Sequence, residues 1–217
     1  NVINLFSMTR GINRFKGLAM ALKENGCAPA AVWSRTVESA ALLGNMVGCA
    51  YTDDISSLPD ADIVIISVVD SAFNDVARSV TGRYPSSLIM HTAGSIPMDS
   101  LREAGASRYG VFYPMQTMSK SNIVPFDNVT IFVEGYDEYT ASFIEHLASR
   151  LSRKVVRATS EQRRYLHVAA VFACNFPNAV YNMAADILEK NDLPFDAMLP
   201  LIDEAARKVH LMSPLAA

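Results

Sequence analysis

The sequence predicts an α/β protein in which a mostly parallel sheet, with helices on both faces, is followed by an all-helical region. Short apolar runs alternate with helical segments up to residue 157, which is the pattern of consecutive βαβ units. The run "ADIVIISVV" (61–69) is apolar without alternation and rich in β-branched residues, as in a strand buried on both faces. Beyond Thr159 only helical patterns follow. We therefore predict two domains, residues 1–157 and residues 158–217.

The elements follow one another in a regular order. The first unit is an apolar strand over residues 2–6, a turn at "SMTRGIN", and an amphipathic helix that ends at Gly26. Two further helices are predicted at residues 37–48 and 71–80, where apolar residues recur at helical spacing. Short apolar runs predict the other strands, at residues 30–34, 61–69, 87–95, 109–117 and 128–135.

A long helical segment over residues 159–191 opens the C-terminal region. Thr159 or Ser160 is suited to cap it, because acidic and amide residues follow in the first turn. Pro177 lies inside the segment and must kink the helix or split it in two. A second helix follows over residues 195–212, and two helices make a thin domain. We expect a partner subunit, or further residues at the C-terminus, to complete it.

Composition excludes several classes of function. Half of the residues are hydrophobic, 19% are charged and the net charge is −3, which gives no attraction to nucleic acid. No apolar stretch approaches the ~20 residues of a membrane span, and no signal-peptide pattern is present, so we expect a cytoplasmic protein. Cys27, Cys49 and Cys174 lack metal-site spacing and indicate buried thiols in a reducing compartment. We find no motif for a metal site or for hydrolysis.

Polar residues follow the second predicted strand, about twenty residues beyond the first turn. They are Ser34, Arg35 and Thr36. In a doubly wound sheet, ligands bind at the carboxyl ends of the strands. A guanidinium and two hydroxyls suit the 2′-phosphate of NADP, whereas a site for NAD places an acidic residue there. We favour an NADP site, and the alternative is a solvated arginine that begins a helix.

The ends of the next two predicted strands supply further candidates. Val68 and Val69 would pass under a bound dinucleotide, and Asp70 is predicted to cap the following helix. His91 is a candidate site residue, although a histidine at a strand end is more often structural. A turn of small residues after His91 permits close approach of a ligand, and it consists of Thr92, Ala93, Gly94 and Ser95.

The long helix carries a polar stripe. At about 100° per residue, its polar residues fall within one sector of about 80°. They are His167, Asn175, Asn178 and Asn182. Such a stripe must meet water or enter a hydrogen-bonded network. It faces either the cleft beside the first domain or a polar seam between helices or subunits, and the pattern does not distinguish the two.

Four blocks of the sequence resemble a known family, and they stand in the family's order. They are "HTAGSIPMDSL", "YGVFYPMQTMSK", "SEQRRYLHVAAVFACNFPNAVYNMA" and "LPFDAMLPLIDEAARKVH". The family is a bacterial group of Rossmann-like NADP oxidoreductases, described as deazaflavin-dependent-type, with a helical C-terminal domain of unassigned function. It is similar, more distantly, to pyrroline-5-carboxylate reductase. The resemblance runs from Leu18 to Pro214. It implies a Rossmann-like fold and NADP as cofactor, with NAD less favoured.

The first turn departs from the family. The family sequence Gly-Ala-Gly-Asn aligns with residues 10–13, which puts Gly11 and Asn13 at the pyrophosphate of the cofactor. Arg10 and Ile12 replace the two glycines, and a β-branched side chain obstructs close approach of a phosphate. Three explanations stay open: weak cofactor binding, a turn that takes another path, or an error in the sequence.

Together these observations predict an NADP-dependent oxidoreductase that transfers a hydride between nicotinamide and a small C=O or C=N substrate. His167 is the expected proton donor or substrate anchor, because an imidazole exchanges protons near neutral pH. The resemblance puts Gln116 at the reacting centre, in place of an asparagine of the reductase. Asn175 joins them as a catalytic candidate, and Asn178 and His91 are expected to bind substrate.

We also expect a homodimer formed through the C-terminal helices. The alternative function is a non-catalytic nucleotide-binding or scaffold protein that keeps the fold but has lost the glycine-rich phosphate turn. The altered first turn favours this alternative, and the intact downstream blocks favour the enzyme.

Overall fold

A computed structural model describes residues 2–7, 12–116 and 125–213, of which residues 7 and 12–15 are described for the backbone alone. The chain forms two compact units, residues 1–167 and residues 168–217. The first turns of the helix after Thr159 therefore belong to the unit that contains the sheet. The domain division predicted after residue 157 stays a prediction.

Eight strands form one sheet in the order β3-β2-β1-β4-β5-β6-β7-β8. They are β1 (Ile3–Ser7), β2 (Ala31–Ser34), β3 (Ala50–Thr52), β4 (Ile63–Ser67), β5 (Leu88–His91), β6 (Arg108–Met115), β7 (Thr130–Gly135) and β8 (Val155–Arg157). Neighbouring strands are parallel except β6 and β7, which run antiparallel with Met115 opposite Thr130. The strand order reverses between β1 and β4, as in doubly wound α/β proteins. The predicted α/β, Rossmann-like fold is confirmed.

Helices connect the strands and form the C-terminal region. They are α1 (Ile12–Glu24), α2 (Val37–Val47), α3 (Asp70–Arg83), α4 (Asp99–Glu103), α5 (Glu138–Ser149), α6 (Ser160–Ala170), α7 (Phe176–Glu189) and α8 (Leu199–Leu211). The sequence analysis did not predict α4, α5, β3 or β8. The two strands are only three residues long, and most of their side chains are exposed, so no hydrophobic run reveals them.

The sheet is buried on both faces, because successive residues of a strand point in opposite directions. On β4, Ile63 and Ile65 join one core cluster, whereas Val64 and Ile66 join the other. Residues of α1, α2 and α5 pack in the first cluster, and residues of α3 and α4 pack in the second. The burial predicted from the run at 61–69 is therefore confirmed.

The long helical segment begins where the sequence predicts, and it contains a π-helical turn directly before Pro177. The N–H of Gln162 donates to Thr159 Oγ1 and the N–H of Thr159 donates to Gln162 Oε1, which is a reciprocal capping box. Residues Val171–Asn175 form a π-helical turn, in which the Phe176 N–H donates to the carbonyl five residues earlier. Pro177 then lies in the first turn of α7, and Ala170 and Phe176 on either side of the π-helical turn keep right-handed helical backbone angles. The predicted kink or split at Pro177 stays a prediction.

The second unit, described over residues 168–213, contains no buried residue in that range. Large apolar side chains are exposed all along it: Val168, Phe172, Phe176, Val180, Met183, Ile187, Leu193, Leu199, Leu201, Val209, Leu211 and Met212. Exposed apolar surface of this extent marks a site of interaction with another protein surface or a membrane. None of the described helices is long and apolar enough to cross a membrane.

The cysteines correct one expectation. Cys27, Cys49 and Cys174 are unpaired, and each is partly exposed rather than buried. The first two lie just after α1 and α2 and pack against the first core cluster. Within the described ranges, no three side chains of His, Cys, Asp or Glu come together in a group that could hold a metal ion.

Candidate functional site

The carboxyl ends of β1, β2, β4, β5 and β6 lie along one edge of the sheet, because these strands are parallel. The residues at and after these ends are 34–36, 67–70, 92–95 and 116, and we call this row the carboxyl edge. In open α/β sheets, ligands bind outside this edge, at the point where the strand order reverses. The row is therefore the candidate site.

At the end of β2, the three predicted cofactor residues differ in what they can reach. Arg35 is exposed, and its guanidinium makes no hydrogen bond or ion pair within the described part of the chain. Thr36 caps α2, since its Oγ1 accepts the N–H of Ser39 at 3.4 Å. Ser34 is fully buried. Burial puts Ser34 out of a ligand's reach and the Thr36 hydroxyl serves the helix, so of the three residues only Arg35 keeps its predicted contact with a 2′-phosphate, which stays a prediction.

At the end of β4, Val68 and Val69 are half-buried. Val69 occupies the N-cap position of α3 and makes no side-chain capping bond. The prediction that Asp70 caps this helix is wrong, because Asp70 is its first residue. The carboxylate of Asp70 instead accepts a hydrogen bond from the Ser95 hydroxyl, which ties the end of β4 to the turn after β5.

The turn after β5 is packed against β6 and α6. Gly94 is buried, and a Cβ at this position would lie 2.8 Å from Tyr113 Cζ, 2.9 Å from Tyr113 Oη and 3.0 Å from His167 Nδ1. These contacts leave no room for a side chain. They also bring the Tyr113 hydroxyl and the His167 imidazole to one point over the turn. His167, the predicted proton donor, thus lies beside the predicted small-residue turn and is partly exposed.

His91 supports this turn from inside the core. It is fully buried, and its ring packs edge-on against Phe73 with centroids 5.3 Å apart. Its Nδ1 accepts the Ala93 N–H at 3.2 Å. Burial, and then the charge of Arg163, lower the pKa of His91 to about 3 against an opposing effect of the Pro97 backbone. The predicted contact of His91 with substrate is corrected, because the neutral ring is enclosed in the core.

A buried arginine holds the same turn from the other side. Arg163 on α6 is 0% exposed, and its guanidinium pairs with Glu134 on β7. It also donates to the carbonyls of Ala93 at 3.2 Å and Ile96 at 2.7 Å. The Ser160 hydroxyl donates to Glu134 at 2.8 Å, which joins the start of α6 to this network.

Sequence reasoning missed Arg163 and Glu134, although a signal for each is present. Arg163 stands four residues before His167, so the two share a helical face. Glu134 is a charged residue at the end of the apolar strand run "NVTIFV". A charge in such a run indicates a paired group or an exposed strand end, and the sequence contains nothing that identifies a partner 29 residues away.

The remaining predicted residues are not brought together by the described contacts. Gln116 directly follows β6 at the carboxyl edge and is half-buried. Asn175 and Asn178 are exposed in the second unit, and their approach to substrate stays a prediction. Gly11 lies outside the described residues, and the side chain of Asn13 does too, so their predicted contact with the pyrophosphate also stays a prediction.

Gly94→Ala should lower the free energy of unfolding by about 1–3 kcal/mol, because the new methyl group must displace Tyr113 or His167 in a packed site. Urea unfolding measures this difference. Gly82→Ala is the matched control, since nothing lies within 4 Å of a Cβ at Gly82 on α3. The control should be neutral or stabilising, because alanine favours the helix. Equal behaviour of the two variants would contradict the packing described.

Comparison with known proteins assigns the chain to a family. A solved structure described as "putative NADP oxidoreductase BF3122", from Bacteroides fragilis, is 45% identical. The alignment covers 98% of this chain and 82% of that chain, with a TM-score of 0.90. The chain belongs to the BF3122 family. The resemblance to a bacterial NADP oxidoreductase family, inferred from four sequence blocks, is thereby confirmed.

Two other solved structures share the fold of the BF3122 family. A protein from Thermotoga maritima, TM1727, is 20% identical, with a TM-score of 0.71 over 96% of this chain and 79% of that one. A pyrroline-5-carboxylate reductase from Coxiella burnetii is 14% identical, with a TM-score of 0.67 over 98% and 80%. Residues 129–217 match the model of a "Domain of unknown function (DUF2520)". The search of curated proteins gave no match.

Proposed function

We propose that the protein is an NADP(H)-linked oxidoreductase that acts on a small substrate with a C=O or C=N bond. One observation carries the proposal: the carboxyl edge holds Arg35 at the end of β2 and the tight turn after β5, with His167 beside that turn. A phosphorylated ribose suits the first position and a reacting ring suits the second, because a dinucleotide spans the two halves of such a sheet. Membership of the BF3122 family supports the same class of reaction.

The described residues fit an NADP cofactor at two places. Arg35 offers an exposed guanidinium without a partner where a 2′-phosphate would bind, and no acidic residue stands there to hold the ribose of NAD. Val68 and Val69 supply a half-buried apolar surface between the two halves. When bound, the nicotinamide supplies or accepts the hydride, and the protein orients it.

His167 is the proposed acid. Its imidazole is partly exposed, and Nδ1 lies over Gly94 next to the Tyr113 hydroxyl. In the reducing direction, a protonated imidazole would give its proton to the substrate oxygen or nitrogen. Gln116, Asn175 and Asn178 are the proposed polar contacts to substrate, because their amides both donate and accept hydrogen bonds.

We further propose two domains and a homodimer. Residues 1–157 would bind the dinucleotide, and residues 158–217 would contact the substrate and a second copy of the chain. The exposed apolar side chains of the second unit support the dimer, since twelve of them stand uncovered between Val168 and Met212. A two-fold dimer is the commonest assembly that buries such a surface.

Arg35→Ala should weaken NADPH binding by about tenfold to a hundredfold, because a charge-assisted hydrogen bond to the 2′-phosphate is lost. The affinity for NADH should hardly change, since NADH lacks this phosphate. Calorimetric titration of both cofactors measures the difference. Arg108→Ala is a matched control, because Arg108 is an exposed arginine at the opposite edge of the sheet. Equal losses for both cofactors would reject the assignment of Arg35.

The same titration separates the enzyme from the alternative. Arg10 and Ile12 at the first turn favour a non-catalytic scaffold, because they replace the glycines that admit a phosphate. A scaffold would bind neither cofactor, whereas a non-catalytic nucleotide-binding protein would bind NADPH without oxidising it. If NADPH binds, its oxidation with a panel of aldehydes, ketones and cyclic imines tests the reaction. Binding without oxidation across the panel would reject the proposed substrate class.

A further inference from the structure

Arg163 is an unusual residue, because a charged side chain with no exposure must be paired and hydrogen-bonded to be tolerated. One nitrogen pairs with Glu134. Its other donors reach the carbonyls of Ala93 and Ile96, and one also reaches the Ser160 hydroxyl at 3.3 Å. Two of its partners are thus backbone groups of the turn after β5.

These bonds fix the direction of a peptide in the turn. The N–H and C=O of a trans peptide point to opposite sides. Because the Ala93 carbonyl is aimed at Arg163, the N–H of Gly94 is aimed away from it. The N–H groups of Gly94, Ser95 and Ile96 make no hydrogen bond with any residue in the described ranges, so this part of the turn offers donors that the fold does not use.

The flanking N–H groups, in contrast, are all used by the fold. The N–H of Thr92 donates to the Ile66 carbonyl at 3.1 Å. The Ala93 N–H donates to His91, and the Met98 N–H donates to the Ser160 hydroxyl at 2.9 Å. The turn is therefore held at both ends, and the bond of Arg163 to the Ala93 carbonyl determines which way the Gly94 N–H faces.

The same residue fixes α6 in place. His167 stands one turn further along this helix, and Arg163 ties the helix to the backbone on both sides of Gly94. The approach of the His167 ring to Gly94 therefore depends on the Arg163 contacts. A helix shifted along the turn would separate the imidazole from that point.

We propose that Arg163, held by Glu134, is a positioning residue that aims the Gly94 N–H at the nicotinamide half of the cofactor. The inference rests on the proposed function, and it assigns the turn after β5 to that half because β4, β5 and β6 form the second half of the sheet. The adenosine half, near β2, does not depend on Arg163.

Two ligands separate this role from a structural one. NADPH occupies both halves of the site, whereas adenosine 2′,5′-bisphosphate carries the 2′-phosphate without a nicotinamide. Arg163→Met should weaken NADPH binding about tenfold or more, since a small misplacement of positioning groups has effects of this size. The affinity for adenosine 2′,5′-bisphosphate should change less than about twofold, because Arg35 binds it. Calorimetric titration of the full chain gives both values.

Asn4→Ala is the matched control for lost buried polarity. Asn4 is fully buried near the start of β1, at the end of the strand away from the carboxyl edge. Its side-chain amide donates hydrogen bonds to the Pro59 carbonyl and the Tyr84 hydroxyl. This variant should lose stability while both affinities stay unchanged. If Arg163→Met does not fold, Arg163→Lys replaces it, because lysine keeps the charge near Glu134 but cannot reach both carbonyls. We expect a smaller loss that is again confined to NADPH.

Three results would overturn the proposal. Equal losses of both ligands would show that Arg163 supports the whole site, and unchanged NADPH affinity in a folded Arg163 variant would show that the turn does not contact the nicotinamide. If the unaltered chain binds adenosine 2′,5′-bisphosphate and NADPH equally well, the turn contributes nothing and this inference alone fails. If it binds neither, the proposed function fails and the inference falls with it.

Discussion

We expect His167→Ala to lower turnover by roughly a hundredfold to ten-thousandfold, which is the contribution of a general acid. The reason is geometric: the imidazole lies over Gly94 and is partly exposed, so a ligand at the carboxyl edge can reach it. The NADPH affinity should remain, because Arg35 and the turn are unaltered. NADPH oxidation with the best substrate of the panel measures turnover, and calorimetry measures binding.

His146→Ala is the control for this experiment, since His146 is an exposed histidine on α5. Its turnover should equal that of the unaltered protein. Full activity of His167→Ala together with loss of the dimer would identify the polar stripe as a subunit seam. Ser95 and Gln116 would then be the remaining candidates at the carboxyl edge.

Acidification should destabilise the fold through His91. The pKa of His91 is about 3 in the folded protein and 6.5 in the unfolded chain. Between these pH values the unfolded chain therefore binds a proton that the folded chain does not bind. The contribution of the neutral His91 ring to the free energy of unfolding is therefore complete above pH 6.5 and falls as the pH is lowered toward 3. The slope approaches about 1.4 kcal/mol per pH unit, or about 3 kcal/mol between pH 6.5 and 4, from this one group.

His91→Asn isolates this effect. An asparagine Oδ1 can still accept the Ala93 N–H but does not titrate, so the variant should lose less stability on acidification. Urea unfolding across this pH range gives both slopes. Other titrating groups act equally in the two proteins and cancel in the difference. Parallel slopes would show that His91 is protonated in the folded state as readily as in the unfolded one.

The fold was predictable wherever hydrophobic pattern determines structure. The run at 61–69 indicates a strand buried on both faces, and the cap at Thr159 marks the start of the long helix because a capping box follows from local backbone chemistry. The strands β3 and β8 were not predictable. Each is three residues long and lies at one end of the strand order, where it pairs with its neighbour through backbone hydrogen bonds. The side-chain pattern contributes little to such pairing.

The site was predictable in position more than in detail. Parallel strands imply a common carboxyl edge, so the sequence could name Arg35 and the turn at 92–95. It could not show that Ser34 is buried, because a serine is most often exposed and its burial here depends on the packing of other elements around β2. Nor could it show the pairing of Arg163 with Glu134, which depends on how α6 packs against β7.

The three residues at the end of β2, residues 34–36, have different surroundings and therefore different roles. Ser34 belongs to the interior, and Thr36 secures the start of α2. Arg35, between them, has no bond within the described fold. A substitution at Arg35 should therefore leave the stability of the fold nearly unchanged. Under the proposed function, the cofactor preference could then change through this one position, independently of the residues that hold β2 and α2 in place.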